Sequence, residues 1–353
     1  MEREDAHGNA FALDNVFHHP VISGSGLLDK LKDKNRVTRL LKHLNDEVEF
    51  DLIIARTSLA ARLVADFAKR LNILLVVESF EPHADYMVED GVWKKNGLKY
   101  KIARRAEVDQ IKNARFIFTV SNAYASMLRE RFPNNKEKIS TIPCCVDANS
   151  FAFSSLDRDQ IRSQLGYSEH CVAIYTGKLG GIYLDREALD LLKQCQDYFG
   201  KDQFRLIVLT PQKDLWRSRL LEMGFTQNEF YIDLVPLNEV PKYLSAADFA
   251  LSLHRPTPSK IAITPIKNAE YLANGLPIVS PQGIGDDSEA LKVNELGVLL
   301  DNNLELSAND FEQLDVLIKN TRIDNRCRKW VETNRSFDIV RSNYEMVLNS
   351  IAS

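Results

Sequence analysis

A glycine-rich turn in the second half of the chain has the residue types of an anion site. The segment 175–183 (YTGKLGGIY) follows the apolar run 172–176. Gly177, Gly180 and Gly181 permit positive φ angles and close backbone approach, so their N–H groups could converge on an anion. Lys178 would add a cation. A plain strand–helix turn would contain the same glycines, and the turn alone does not decide between the two.

A second candidate is the segment 263–277 (ITPIKNAEYLANGLP), which predicts a short helix. Thr264 suits the N-cap, Pro265 the first helical position and Gly275 the position just after the helix. These signals predict a helix of about ten residues that is followed at once by a strand.

Lys267 lies in the first turn of this predicted helix, where the helix dipole disfavours a cation by about 0.3–1 kcal/mol. The placement is explained if Lys267 and free N–H groups face one anion, as at phosphate sites. Glu270, three residues on, lies on the same face and could accept two hydrogen bonds from vicinal hydroxyls such as those of a ribose. An exposed Lys/Glu pair on a surface helix accounts for the spacing about as well.

The elements that would position these residues alternate between short apolar runs and stretches of helical period. The predicted strands are 51–55, 73–78, 116–120, 139–142, 172–176, 204–209, 248–253, 277–280 and 297–300, and the predicted helices of the first half are 58–70, 94–113 and 122–131. Continuous apolar strands separated by helices are typical of parallel sheets buried on both faces. We therefore predict an α/β protein with two doubly wound Rossmann-like domains facing across a cleft. The domains would cover 1–150 and 151–337, with a last helix over 338–353 packing back on the first.

Composition excludes several classes of protein. The 353 residues are 44% hydrophobic and 27% charged, which excludes a disordered chain. The net charge of −4 does not provide the positive surface that a nucleic-acid-binding protein needs. No apolar run approaches the ~20 residues of a bilayer span, and the acidic N-terminus lacks the apolar core of a signal peptide. The five cysteines have no CxxC spacing and indicate reduced thiols. The sequence thus favours a cytoplasmic protein.

From about residue 51 to its end, the chain resembles the GT-B retaining glycosyltransferases of group 1, family 4. The resemblance rests on an ordered set of segments: 119–121 (TVS) before a helix, 139–147 (ISTIPCCVD) with Phe151, 177–179 (GKL), 240–248 (VPKYLSAAD), 265–279, the loop 283–297 with Glu289, and Tyr344 in the last helix.

This resemblance implies a sugar donor of the UDP or GDP type, bound mainly by the second domain, and transfer with retention of anomeric configuration. Lys178 and Lys267 would contact the diphosphate and act in catalysis, and Glu270 would hold the ribose. The other donor-binding positions would be Gly177, Gly180, Gly181, Thr264 and Ile266. Such enzymes need no metal or cofactor, because cations and helix N-termini stabilise the leaving diphosphate. The acceptor, a glycan, a lipid-linked compound or a small molecule, would lie against the first domain, and the pathway would be polysaccharide or glycoconjugate synthesis.

Three features depart from the family pattern. Ala262 stands where the family has the first carboxylate of its Glu-x7-Glu motif, and Tyr183 stands at its second basic position. The opening strand with its glycine-rich turn is absent, because 11–23 resembles a later strand and Gly24 and Gly26 precede a charged helix. A late start of the reading frame, a second chain that completes the sheet, and a degenerate donor-binding or assembly subunit all account for this. A sugar-nucleotide epimerase of related architecture is the other enzymatic alternative.

Candidates on the acceptor side are Arg56, Glu78 and His83, which end or follow predicted strands of the first domain. His83 could hydrogen-bond the transferred sugar or position the acceptor, without acting as a base, and an exposed loop histidine is the alternative. The segment 94–105 (KKNGLKYKIARR) carries six cations and no acid. It could rest on the anionic inner face of a membrane and reach a lipid-linked acceptor, or it could be a solvated helix face.

Overall fold

The computed structural model describes residues 17, 19, 27–320, 322 and 325–352. Most of the predicted strand over 11–23, together with Gly24 and Gly26, lies outside the described residues. None of the helices in the described part of the chain is long and apolar enough to cross a bilayer.

The first sheet has four parallel strands in sequential order, β1-β2-β3-β4, within the described residues. Its elements are α1 (Leu27–Glu47), β1 (Leu52–Arg56), α2 (Ser58–Leu71), β2 (Leu74–Ser79), α3 (His83–Glu89), α4 (Leu98–Asn113), β3 (Phe116–Thr119), α5 (Asn122–Arg131), a 3₁₀ turn (Pro133–Lys138) and β4 (Ile139–Thr141). We call this part, together with the last helix, the N-terminal lobe.

The second sheet has six parallel strands in the order β10-β9-β8-β5-β6-β7. Its strands are β5 (Cys171–Thr176), β6 (Phe204–Leu209), β7 (Phe230–Asp233), β8 (Phe249–Leu251), β9 (Ile278–Pro281) and β10 (Gly297–Leu300). The helices of this C-terminal lobe are α6 (Ser155–Leu165), α7 (Arg186–Phe199), α8 (Lys213–Glu222), α9 (Val240–Ala246), α10 (Ile266–Ala273), α11 (Asp287–Val293), α12 (Ala308–Asn320) and α13 (Arg326–Asn334), with 3₁₀ turns at Leu237–Glu239 and Pro258–Ala262.

The strand order of the second sheet reverses between β5 and β8, and open α/β sheets bind ligands at the carboxyl ends of strands beside such a reversal. The glycine-rich turn follows β5, and the chain leading to α10 follows β8. Alternate residues of β5 enter two different cores, with Tyr175 on one face and Ile174 on the other. The sheet is therefore buried on both faces, as its continuous apolar strands predict.

The last helix, α14 (Phe337–Ala352), returns to the N-terminal lobe. Val347 is fully buried with Val76 and Phe118 of the first sheet. The Tyr344 hydroxyl donates a hydrogen bond to Glu78 Oε1 at 2.7 Å. The chain thus crosses between the lobes twice, once after β4 and once after α13.

The predicted α/β class with two parallel-sheet domains is confirmed, and all nine predicted strands are present within two residues at each end. The prediction missed β7, where Phe230 and Ile232 are buried and Tyr231 and Asp233 are half-buried. Apolar and polar residues alternate in this segment, so it lacks a continuous apolar run. The predicted start of the helix over 94–113 is wrong, because the helix begins only at Leu98.

Candidate functional site

The glycine-rich turn after β5 encloses a pocket of about 620 Å³, lined by residues 177–183 with Pro211 and Gln212. Gly177 has a φ of +154°, and a Cβ atom there would lie 2.7 Å from the Tyr175 hydroxyl and 2.8 Å from Lys267 Nζ. Only glycine fits this close approach. The turn therefore brings the backbone at residue 177 against the Lys267 ammonium, which α10 carries.

The expected convergence of the glycine amides on an anion is wrong for two of the three. Gly177 N–H donates to the Leu209 carbonyl at 3.0 Å, and Gly180 N–H donates to the Leu184 carbonyl at 3.1 Å. The first bond extends the sheet and the second closes the turn. Both N–H groups therefore already have acceptors within the protein and are not available to an anion. Gly181 and the exposed Lys178 side chain remain as the candidates that line the pocket.

Lys267 lies in the first turn of α10 and is 9% exposed. Its Nζ has no hydrogen-bond partner among the described residues. The ammonium lies 4.3 Å from the ring centre of Tyr183 and 5.0 Å from that of Tyr175. Burial lowers the pKa of Lys267 to about 7, and the charge of Glu270 acts in the opposite direction. A buried ammonium that faces aromatic rings and has no hydrogen-bond partner among the described residues is suited to receive an anion.

Tyr183, at the family's second basic position, thus places an aromatic ring over the Lys267 ammonium and adds no second cation there. Its ring packs on His254, with ring centres 4.8 Å apart. Burial and the charges of Lys267 and Lys260 lower the pKa of His254 well below its usual range. The histidine is therefore neutral at pH 7, and it adds no charge beside Lys267.

Glu270 lies one turn after Lys267 on α10 and is half-buried. Burial raises its pKa, and Lys267 opposes that shift. The predicted Lys/Glu pair is therefore a partly buried pair at the edge of the candidate site and not an exposed pair on a surface helix.

The prediction of Thr264 as the N-cap is wrong. Pro265 occupies that position, and the Thr264 hydroxyl donates to the Val120 carbonyl of the N-terminal lobe. The chain before α10 packs against the other lobe, which turns Thr264 away from the helix. Ile266 begins α10 and is half exposed.

The 3₁₀ turn Pro258–Ala262 is the main contact between the lobes near this site. Lys260 is fully buried, donates to Asp90 Oδ1 at 2.8 Å and lies 3.4 Å from the ring centre of Tyr86. Ala262 enters the apolar core of the N-terminal lobe. A carboxylate at that position would be buried among apolar side chains, which agrees with its replacement by alanine. Sequence reasoning missed Lys260 and Asp90 because residues 170 positions apart carry no spacing signal.

The acceptor-side candidates lie at the ends of β1 and β2. Glu78 pairs with Arg56 at 3.0 Å and accepts the Tyr344 hydroxyl, so it also anchors α14. His83 begins helix α3, and its expected place in a loop is wrong. Its Nδ1 lies 2.9 Å from Glu81 Oε1, and its ring packs edge-on against Trp93.

Within the described residues, no group of three or more His, Cys, Asp or Glu side chains is arranged to hold a metal ion. The five cysteines are free thiols.

Comparison with known proteins gives a family match and a set of similar structures. Residues 2–150 match the model of Glycosyltransferase Family 4. The structure of HepE from Anabaena in complex with UDP is 17% identical, covers 92% of this chain and 82% of its own, and superposes with a TM-score of 0.66. Sucrose-phosphate synthase from Thermosynechococcus elongatus is 16% identical, with coverage of 96% and 86% and a TM-score of 0.68. A glycosyltransferase from Rickettsia africae is 14% identical, with the same coverage and TM-score. No curated protein sequence matches significantly. Residues 2–150 are thus similar to Glycosyltransferase Family 4, and the whole chain has the GT-B fold that its sequence resemblance implied.

Proposed function

We propose that this GT-B glycosyltransferase moves a sugar from a nucleoside diphosphate sugar of the UDP or GDP type to a hydroxyl group of an acceptor, with retention of anomeric configuration. The observation that carries the proposal is the buried ammonium of Lys267, which has no hydrogen-bond partner among the described residues and touches the glycine-rich turn. A diphosphate at this point would supply hydrogen-bond acceptors and negative charge to that ammonium. HepE, which has the same fold, was solved with UDP and with UDP-glucose.

The chemistry follows from where charge develops. When the bond between the sugar and the diphosphate breaks, negative charge grows on the leaving phosphate oxygen. Lys267, Lys178 and the first N–H groups of α10 would stabilise that charge, while Glu270 would accept hydrogen bonds from the ribose hydroxyls. Gly181 and Ile266 would line the same site through their backbones. The acceptor hydroxyl would attack from the side that the diphosphate leaves, and the departing phosphate would take its proton, so no protein base is assigned.

Nucleotide binding tests the proposal directly. We expect UDP or GDP to stabilise the protein by about 2.7 kcal/mol at a concentration 100-fold above its Kd, seen as a rise in Tm. Lys267→Ala and Glu270→Ala should weaken binding and so reduce this rise sharply at the same nucleotide concentration. The matched controls are Lys242→Ala and Glu239→Ala, which break an i,i+3 pair on the surface of the same lobe and should keep it. If neither nucleotide raises the Tm of the unaltered protein, the proposal is wrong.

Turnover separates transfer from the alternatives. A transferase releases free nucleoside diphosphate and joins the sugar to the acceptor. A sugar-nucleotide epimerase returns an intact nucleotide sugar, and the comparisons offer no support for that activity. A degenerate binding subunit would bind the donor without hydrolysis or transfer.

For the acceptor, we propose a lipid-linked compound reached at an anionic membrane surface. Lys94, Lys95, Lys99 and Lys101 are exposed, and Val92, Leu98 and Ile102 lie exposed among them. One of the six expected cations does not belong to this surface, since Arg104 turns inward to Glu107 at 2.7 Å and Asp85 at 3.2 Å. Each lysine near an anionic bilayer contributes about 1 kcal/mol of attraction.

Vesicle sedimentation tests the membrane contact. The protein should pellet with vesicles that contain phosphatidylglycerol and stay in solution with pure phosphatidylcholine. Changing the four lysines at 94, 95, 99 and 101 to Gln should abolish pelleting. The charge-matched control changes four exposed lysines elsewhere, Lys112, Lys201, Lys319 and Lys329, and should leave pelleting intact. Equal loss in both variants would mean that net charge alone is responsible and would refute this docking surface.

A further inference from the structure

Arg335 lies where the chain crosses from the C-terminal lobe to α14, and its side chain is 3% exposed. Its Nε donates to the carbonyl of Cys144 at 2.8 Å, and its own carbonyl accepts the N–H of Val146 at 2.9 Å. Cys144 and Val146 belong to the first crossing between the lobes. Both crossings are therefore joined at this one residue.

The other end of the Arg335 side chain reaches α10. Nη2 donates to the carbonyl of Pro265 at 3.1 Å, and Nη1 donates to Asp287 Oδ1 at 2.7 Å. The second oxygen of Asp287 accepts a hydrogen bond from Asn268 Nδ2 at 2.8 Å. Pro265 caps α10 and Asn268 directly follows Lys267. The network therefore holds the first turn of α10 by hydrogen bonds at Pro265 and at Asn268, one on each side of Lys267.

The geometry needs arginine in particular. A planar guanidinium can donate in three fixed directions at once, and lysine cannot reproduce that fork. A buried ion pair is by itself weak evidence of stabilisation, because apolar side chains often replace such a pair without loss. A binding group, by contrast, depends on neighbours that lock its position to about 0.5 Å.

We propose that Arg335, acting through Asp287 and Asn268, is a positioning residue that fixes Lys267 of the donor site relative to the two crossings between the lobes. The inference rests on the proposed function of Lys267, but its structural part can be measured without any nucleotide.

The test compares Arg335→Lys and Asp287→Asn with the control Arg162→Lys. Arg162 is also buried, pairs with Asp248 at 2.6 Å within the C-terminal lobe, and makes no hydrogen bond to α10. Two readouts are taken: amide hydrogen exchange over residues 266–273 of the unliganded protein, and the Kd for UDP or GDP. We expect faster exchange in α10 and a Kd raised about tenfold or more in the Arg335 and Asp287 variants. Arg162→Lys should lower the Tm by a similar amount and leave both readouts unchanged.

The outcomes of these measurements either support or overturn the positioning role of Arg335. Unchanged α10 exchange and Kd in Arg335→Lys, or equal changes in Arg162→Lys, would overturn the positioning role. If Arg335→Lys does not fold, Asn268→Ala carries the test, because it removes only the hydrogen bond on the α10 side and should weaken binding severalfold. If the unaltered protein binds no nucleoside diphosphate, the proposed function fails, while the exchange measurement still decides whether Arg335 holds α10.

Discussion

Lys267 is a base whose protonation should respond to the ligand it binds. Burial holds its pKa at about 7 in the unliganded protein. A bound diphosphate would stabilise the ammonium and raise that pKa, so binding takes up a proton above pH 7. We therefore expect the affinity for UDP or GDP to fall by up to about tenfold per pH unit between roughly pH 7.5 and 9. Calorimetry in two buffers with different ionisation enthalpies measures the proton uptake.

Three of the groups around Lys267 do not titrate between roughly pH 7.5 and 9. His254 has a pKa well below its usual range, and burial raises the pKa values of Tyr175 and Tyr183, so these groups stay neutral over the measured interval. Lys267→Gln should remove the pH dependence. Lys178→Gln, at an exposed position, should weaken binding and keep the slope. A slope that survives Lys267→Gln would contradict the assignment.

At single positions, sequence reasoning worked where the cause is local. Helical periodicity and the stop signal of Gly275 placed Lys267 and Glu270 in the same helix one turn apart, since such signals depend on neighbours in the chain. It failed for Thr264 and for the amides of Gly177 and Gly180. The partner of Thr264 lies on the other lobe, that of Gly177 lies on β6, and that of Gly180 is Leu184 in the same turn; no pattern in the sequence gives these pairings.

At the scale of elements, α14 offers a direct test of how the chain end packs. Val347 is fully buried against the first sheet, while the next residue, Leu348, is 56% exposed. Val347→Ala should cost about 1–3 kcal/mol of unfolding free energy, from lost burial and the cavity left behind. Leu348→Ala should change it by less than about 0.5 kcal/mol. Urea unfolding measures both values, and equal effects would contradict the packing.

The strands of the second sheet show which sequence patterns predict a strand. Strands with continuous apolar runs are found from the sequence, so the positions of β5, β6, β8, β9 and β10 along the chain were predicted correctly. The edge strand β7 alternates between buried and half-buried side chains over four residues. An alternation over only four residues does not distinguish a strand from a turn or loop. The sequence analysis therefore did not predict β7.

At the scale of the whole molecule, the contact of Lys260 with Asp90 joins two lobes that each have their own core. Removing one partner of a buried ion pair lowers the free energy of unfolding by about 3–5 kcal/mol, because the remaining charge is buried without hydration or a counter-charge. In this protein the lobes can avoid that loss of stability by separating, because water then hydrates the Lys260 ammonium. We therefore expect Asp90→Leu to increase the radius of gyration in small-angle scattering, with helix content unchanged.

A second substitution distinguishes this opening from simple damage. Adding Lys260→Met to Asp90→Leu removes the stranded ammonium and leaves an apolar contact, and replacements of this kind are often neutral or stabilising. The double variant should thus return to the radius of the unaltered protein, although it has lost both charges. The control is Asp66→Leu, which breaks the exposed pair with Lys34 within the N-terminal lobe and should leave the radius unchanged. A double variant as expanded as Asp90→Leu alone would mean that the ion pair itself, and not the avoidance of a buried unpaired charge, holds the lobes together.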